Sequence, residues 1–415
     1  MSVFLEAPLE TLCRKVTDGT HDSPRLLPDG VPFIKGKHIS QGRLNLDYCD
    51  YISREDHLKV IARSKPERGD TLFSNIGSVG DSAFVNTDSE FSIKNVALFK
   101  PDFERVVPKY LFYLLRSPSV LDGLLSIRSG SAQPFIGLET LRKYMVRYHA
   151  SLSTQSQVVS ILSAYDDLIE NNTRRIEILE EMARRLYEEW FVQFRFPGHE
   201  GVEFKESELG LIPDGWDLTT VAETFEILGG GTPSKSEPAY WEGGQINWYS
   251  PTDLTRSGTA FMDESGTKIT DIGLSRSSAK IFPPYSVMLT SRATIGVVAI
   301  NTTPATTNQG FITCIPNKRF PLYLLFHWIK NNVDRFISLG TGATFKEITK
   351  GVFKGIELVV PPAALVNDFQ QKVAPLMDMI LRLQRKNRNL RTQSDLLLPK
   401  LISGEIDVSD IPMPT

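Results

Sequence analysis

Two long stretches of the chain carry a strict helical period, and each follows a region whose apolar residues come in short runs instead. In the first stretch Ile161, Tyr165, Leu168, Ile176, Leu179, Ala183, Leu186 and Trp190 step by threes and fours once Asn172 is counted in the same stripe. This predicts a helix from about Thr154, where Thr154-Gln155-Ser156-Gln157 can form a capping box, to about Phe191. In the second stretch Phe369, Val373, Leu376, Ile380, Leu383, Asn387, Leu390, Ser394, Leu397 and Leu401 alternate four and three without a slip. That is the seam of a coiled coil. Pro375 lies inside it, which predicts a kink or a short helix followed by a long one.

Either stripe alone fits a core-facing domain helix. Three features favour a coiled-coil pair. Each stretch spans some 35 residues, about 50 Å of helix. Each carries a polar residue in its seam, Asn172 and Asn387, a device that fixes register at some cost in stability. Their charges are also complementary. Residues 155–191 hold four Arg against eight Asp or Glu, whereas residues 381–400 hold six Arg or Lys against Asp395 alone. Arg382, Arg385, Lys386, Arg388 and Arg391 therefore have two readings, as a nucleic-acid stripe or as the face turned to the acidic helix.

The regions before the helices mix short β-rich runs with Gly, Pro, Ser and Asn turns, and they resemble one another. Asp18-Gly19-Thr20-His21 answers Gly230-Gly231-Thr232-Pro233, and Thr71-Leu72-Phe73-Ser74 answers Val287-Met288-Leu289-Thr290. Pro108-Lys109-Tyr110-Leu111 answers Pro321-Leu322-Tyr323-Leu324, and Ser129-Gly130-Ser131 answers Thr341-Gly342-Ala343. Four matches in one order, all displaced by about 212 to 216 residues, indicate a duplication.

The predicted fold class is α+β: two similar α/β heads separated by two long antiparallel coiled-coil helices and related by a pseudo-dyad. The expected divisions are a first head at 1–150, a central helix at 151–195, a second head at 196–362, and a C-terminal helix and tail at 363–415. Heads held about 50 Å apart suit a long, approximately two-fold object, and duplex DNA, with a helical repeat of about 34 Å, is the obvious candidate.

Composition narrows the chemistry. The 415 residues carry a net charge of −3, which argues against a sequence-blind binder resting on positive surplus. Cys13, Cys49 and Cys314 are too few and scattered for a disulfide framework, so a reducing cytoplasm is expected. Glu6 and Glu10 break any signal-peptide pattern, and the best membrane candidate, from Val287 to Ile300, is interrupted by Arg292, so no membrane association is expected. Searches for catalysis return no GxxxxGK[ST] loop, no strand–GxGxxG–helix unit, no HExxH and no GxSxG; no catalytic residue and no metal site is predicted. Phe282-Pro283-Pro284-Tyr285 contains the Pro-Pro-Tyr of amino-methyltransferase loops but has Phe where the amine-binding Asn or Asp would stand, and it reads as a turn.

Several phrases resemble the specificity (S) subunits of type I restriction-modification systems, along essentially the full chain. They are Trp190-Phe191-Val192 with Leu209-Gly210-Leu211-Ile212-Pro213-Asp214-Gly215-Trp216, and Leu397-Leu398-Pro399-Lys400-Leu401-Ile402-Ser403-Gly404-Glu405-Ile406. Gly230-Gly231-Thr232-Pro233-Ser234, Tyr240-Trp241 and Trp248-Tyr249-Ser250-Pro251-Thr252-Asp253-Leu254 are similar to the family's common opening of a target recognition domain. The first half has the Asp-Gly-Thr-His variant and no Trp-rich entry before residue 10. The resemblance implies a non-catalytic reader of double-stranded DNA. Each head would bind half of a split, asymmetric site, and the helices would set the spacer. Two modification (methyltransferase) subunits would dock and methylate adenine N6, and restriction subunits would add translocation and cleavage. It places S-adenosylmethionine, ATP and Mg on those partners and no cofactor on this chain. A stand-alone adenine-N6 methyltransferase and a coiled-coil scaffold that binds only proteins are the alternatives.

Direct reading of a base needs donors and acceptors at fixed spacing. Candidates in the repeat-matched loops are Lys35, Lys37, Asn75, Ser78 and Gln133 in the first head. In the second they are Thr232, Ser234, Arg292, Thr294, Asn308, Gln309, Thr344 and Lys346. The competing reading is that the Asn, Ser and Thr residues stabilise turns while Lys and Arg meet phosphate or solvent. Trp241, Trp248, Tyr249 and Trp328 read as core aromatics rather than stacking platforms.

Overall fold

Each half of the chain is closed by a strand pair that joins its two ends: Phe4–Pro8 runs antiparallel to Met145–His149, and Asp217–Thr220 runs antiparallel to Glu357–Val360. The computed structural model describes residues 3–40, 42–46, 49–130, 134–342 and 345–408. Inside the first closure lies a sheet of Cys13–Asp18, Ala97–Pro101, Thr71–Phe73 and Ser82–Phe84, in that order. Inside the second, Glu226–Gly229, Phe311–Ile315, Val287–Thr290 and Val298–Asn301 repeat the order, and Phe261–Met262 adds a fifth strand. A second layer also recurs. Asp50–Ile52, Val31–Ile34 and Ser92–Ile93 match Thr267–Ile269, Ile246–Tyr249 and Ala305–Thr307, each with one antiparallel and one parallel pairing. The duplication in the sequence is thus a duplication of topology.

The matched motifs hold equivalent places. Gly19 and Gly230 lie where a Cβ would come within 2.2 Å of Ile93 O and 1.9 Å of Asn308 O, so the chain crosses a neighbouring strand too closely for any side chain. Pro108 opens the helix Pro108–Arg116 and Pro321 caps Leu322–Asn331. Tyr110 to Leu115 and Tyr323 to Ile329 are buried without a break, as expected of helices enclosed on every side. Trp248, Tyr249 and Trp328 are core residues, and Trp241 packs edge-on against Trp248 at 5.2 Å. Phe282 is buried and Pro284 and Tyr285 form the turn into Val287–Thr290. No helix among the described residues is long and apolar enough to cross a membrane.

The long helices are Leu152–Phe191 and Ala363–Ser403, here called the central and C-terminal helices. The chain divides into two units, Met1–Ile169 with Asn389–Thr415, and Glu170–Arg388. The helices are therefore not modules apart from the heads, as the expected division at 151–195 and 363–415 had it; each is shared between the two units, divided after Ile169 and after Arg388. The central helix starts at Leu152 rather than Thr154. Its cap is Ser151, whose Oγ accepts from Thr154 N at 3.3 Å, so Thr154 lies inside the first turn and is not the N-cap of the predicted box, while the Gln155 side chain bonds His149 O and Val107 N. Pro375 lies in one uninterrupted helical run, on its exposed side, where water can satisfy the carbonyl it leaves unpaired.

In the second unit the helices run antiparallel: Asn172 meets Asn387, whereas Tyr187 and Phe191 meet Phe369 at the other end. Asn172 Nδ2 donates to Asn387 Oδ1 at 2.8 Å and Asn387 Nδ2 donates to Thr173 Oγ1, so both amides are buried with partners. Val373, Ile380 and Leu383 are buried; Leu376, Ile176, Leu179 and Leu186 are partly buried beside Met377, Ala183 and Tyr187. In the first unit Val158, Leu162 and Ile169 are buried, Ile161 is half-buried and Tyr165 intermediate. Leu168 is exposed, which corrects its place in the seam. The predicted stripe steps four residues back from Asn172 where the helix steps three, to Ile169. Leu390 and Ser394 are intermediate, and Leu398 is more deeply buried than Leu397.

Candidate nucleic-acid interface

Each head presents a loop that leaves its central strand, turns back, and is clasped by a later segment through the same backbone hydrogen bonds. In the first unit Ser74 N donates to Asp81 O and Gly80 N to Ser74 O, closing the loop. Gly77 N then bonds Pro134 O at 2.8 Å, and Ile136 N bonds Asn75 O at 2.8 Å. In the second, Thr290 N donates to Val297 O and Gly296 N to Thr290 O. Ala293 N bonds Lys346 O and Ile348 N bonds Ser291 O, both at 2.9 Å. The clasping segment is itself pinned, by Ser129 to Phe135 in one unit and Thr341 to Glu347 in the other. Ladder bonds at both edges hold the loop backbone and leave its side chains to vary.

The side chains on this frame differ. Ser78 is exposed in the first loop, but Asn75 is buried and its Nδ2 donates to Ile136 O at 3.0 Å, so it braces the clasp and has no reach to a ligand. That corrects its candidacy, since a polar residue in a predicted loop is as often a brace as a contact. In the second loop Arg292 and Thr294 are exposed beside exposed Lys346, with Arg292 Nε 3.7 Å from Glu347 Oε2. Phe345 and Phe135, which sequence reasoning passed over, are also solvent-facing on the clasping segments. An aromatic residue inside a polar turn was the available signal. Gln133 and Thr344 lie outside the described residues.

The other candidates fall into two groups. Lys35 is half-buried and its Nζ donates to Asp50 Oδ2 at 2.7 Å, a bond that holds the Asp50 carboxyl below its ordinary range, while Lys37 stands exposed 3.7 Å from the same oxygen. Lys35 is thus committed to its own fold. Thr232 Oγ1 donates to Gln309 Oε1 at 2.5 Å, Ser234 pairs with Ser236 at 2.8 Å, and Asn308 Oδ1 accepts from Gly310 N. Gln309 and Ser234 are exposed. The structure therefore brings Arg292, Thr294 and Lys346 together on one clasp, and Thr232, Asn308 and Gln309 on a neighbouring turn.

Two residues of the basic stripe do not go where charge complementarity placed them. Arg385 and Arg388 both bind Asp263, with Arg385 Nη2 2.7 Å from Oδ1 and Arg388 Nη1 2.8 Å from Oδ2. Arginines of the central helix pair along their own helix, Arg174 with Glu170, Arg184 with Glu181 and Glu188, and Arg185 with Glu181.

Comparison with known proteins bears on this frame. The family model for a type I restriction modification DNA specificity domain matches twice, over residues 23–181 and 213–391. The chain is 24% identical over 423 residues to the type I restriction enzyme HindI specificity subunit of Haemophilus influenzae, a match covering 86% of this chain and 91% of that one. It is 33% identical over 207 residues to the type I restriction enzyme MjaIX specificity subunit of Methanocaldococcus jannaschii, covering 48% of this chain and only 46% of that relative. The crystal structure of a type I restriction-modification system S subunit from M. genitalium has the same fold, with a TM-score of 0.55 over 97% of this chain and 96% of that one at 13% identity.

Proposed function

The chain belongs to the family of type I restriction-modification DNA specificity domains, and from that premise we propose that it is the sequence-reading subunit of a modification and restriction enzyme. The observation that carries the reading is the clasped loop occurring twice on one backbone frame, once in each family match. Two copies of one frame with different exposed side chains suit a target made of two different half-sites. Arg292, Thr294 and Lys346 supply cationic and hydroxyl donors for phosphate and base edges in the second, and Ser78 does so in the first. The two long helices set the number of unread base pairs.

The chemistry belongs to partner subunits. Two modification subunits bring S-adenosylmethionine and transfer its methyl group to adenine N6, and restriction subunits bring ATP and magnesium. This chain contributes position, which is the part of catalysis that comes from holding a target atom against a reactive group.

The test is single-molecule methylome sequencing of cells expressing the full chain with its cognate modification subunit. One split motif, methylated once on each strand, is the expected outcome. Methylation by the purified chain alone would sink this reading in favour of a stand-alone methyltransferase. A chain that protects no duplex DNA in the presence of its modification subunit would be a protein scaffold.

A further inference from the structure

Asp263 follows the short strand Phe261–Met262, which is tied in parallel to Val298–Asn301 at the margin of the second head's sheet. Its own carbonyl accepts from Thr303 Oγ1 at 3.2 Å and Asn247 Nδ2 at 3.4 Å, so the backbone beneath it is fixed. The carboxylate is largely enclosed. Oδ1 takes Thr302 Oγ1 at 2.5 Å and Arg385 Nη2 at 2.7 Å, and Arg385 Nε reaches both oxygens at 3.2 Å. Arg388 Nη1 completes the set at 2.8 Å from Oδ2. Two guanidinium groups at i and i+3 of one helix repel each other unless an anion sits between them. Here that anion comes from 122 residues earlier in the chain. Burial pushes the Asp263 carboxyl up, but the bonds from Arg385 and Thr302 and the two arginine charges outweigh it and hold the group at about 2.

The same head has another attachment to the C-terminal helix. Tyr323 Oη donates to Asp378 Oδ1 at 3.3 Å, and Leu325 and Phe326 belong to the same buried apolar cluster as Phe369, Val373 and Met377. Asp378 and Arg385 are seven residues apart, about 10 Å along a helix. One attachment is a pivot; two separated by that distance fix an angle. Arginine suits the outer one because its planar fork binds a carboxylate in a set orientation, which a lysine does not.

The geometry points to Asp263, gripped by Arg385 and Arg388, as a positioning residue that fixes the angle of the second recognition domain on the C-terminal helix and thereby sets which spacer length of a split target is accepted. This rests on the specificity reading above. It assigns two arginines of the basic stripe, Arg385 and Arg388, to geometry in place of direct contact with the duplex.

The experiment uses the full chain copurified with its modification subunit and duplexes carrying both half-sites with the natural spacer, or one base pair more or fewer. The measured quantity is the ratio of methylation rates between natural and altered spacers, which does not depend on how much of a variant folds. Asp263→Asn and the double variant Arg385→Ala/Arg388→Ala are expected to keep the half-site sequences and lower this ratio at least tenfold. Arg385→Lys/Arg388→Lys, which keeps charge without the fork, is expected to fall between them and the wild type. Unchanged ratios in the variants, beside a wild type that discriminates, would overturn the positioning role and leave the specificity reading standing. A wild type that methylates all three spacers alike would instead remove the reading on which the role rests.

Discussion

In the first unit Lys100 Nζ lies 2.5 Å from Asp70 Oδ2 and 2.9 Å from Glu67, with Asp70 buried just before the strand Thr71–Phe73 and Lys100 buried on the neighbouring strand Ala97–Pro101. At the same register of the second unit, one step beyond the facing pair Val287 and Cys314, stand Ser286 and Ile315. Ser286 is satisfied locally, its Oγ donating to Pro283 O at 2.8 Å, and Ile315 packs with the apolar cluster of that sheet. One unit thus fills this position with an ion pair and the other with an uncharged serine and isoleucine, while the clasp keeps its backbone bonds in both. The shared frame is specified by backbone hydrogen bonding and by where apolar side chains fall, and it tolerates opposite solutions underneath.

Copying one unit into the other tests that independence. The largest effect is expected at the ion pair. Lys100→Ile alone leaves a buried carboxylate without its cation and should destabilise the first unit by about 3–5 kcal/mol, whereas Asp70→Ser/Lys100→Ile should fall near neutral. Native-state hydrogen exchange of Thr71–Phe73 reads both. A double variant as damaged as the single one would mean that the two frames are not interchangeable.

Next comes the enclosed helix. In the register of Pro108 with Pro321, Leu114 corresponds to His327. Burial, helped by the charge of Lys330, pushes the imidazole down to about 3, and its Nε2 has no hydrogen-bond partner. Unfolding restores an ordinary value of about 6.5, so the unfolded chain takes up a proton that the folded one refuses as pH falls below that point. The second unit should lose about 2 kcal/mol from this residue between pH 7 and pH 5. His327→Leu, which copies the first unit, should abolish that loss in urea melts at the two pH values. An unaltered pH dependence would place the acid sensitivity elsewhere.

The smallest effect is expected in the loops. Gly77 and Ala293 share a left-handed conformation, with φ of 78° and 62°. Only glycine adopts it without strain, so Ala293→Gly should stabilise the second unit by about 1 kcal/mol and Gly77→Ala should cost the first about the same. Thermal melts of the full chain suffice. Effects of the same sign in the two variants would show that these turns are not equivalent.

The two helices were legible because a seam is a local pattern, and the C-terminal one was clear because its four-three alternation runs from Phe369 to Leu401 without a slip. Leu168 and Ile169 are adjacent, and a period of 3.5 cannot choose between neighbours that both fit within half a residue. The duplication was legible from four short phrases, since each marks a backbone constraint such as the close crossing at Gly19 and Gly230. Much less of the candidate interface was. Asn75 and Ser78 look alike in sequence, yet one is a buried brace and the other faces solvent, a difference decided by the clasp more than fifty residues away. Asp263 carries no local mark at all, because its partners come from the far helix.

The first unit's core contains Leu398, Leu401 and Ile402 together with Tyr110 and Leu111, and His149 Nε2 bonds Leu401 O at 2.8 Å. On the ribosome, the segment around His149 must therefore wait for a partner made 252 residues later. A stop codon between Asn389 and Leu398 would strip the first unit of Leu398, Leu401 and Ile402 and leave the residues of the second, Glu170–Arg388, intact.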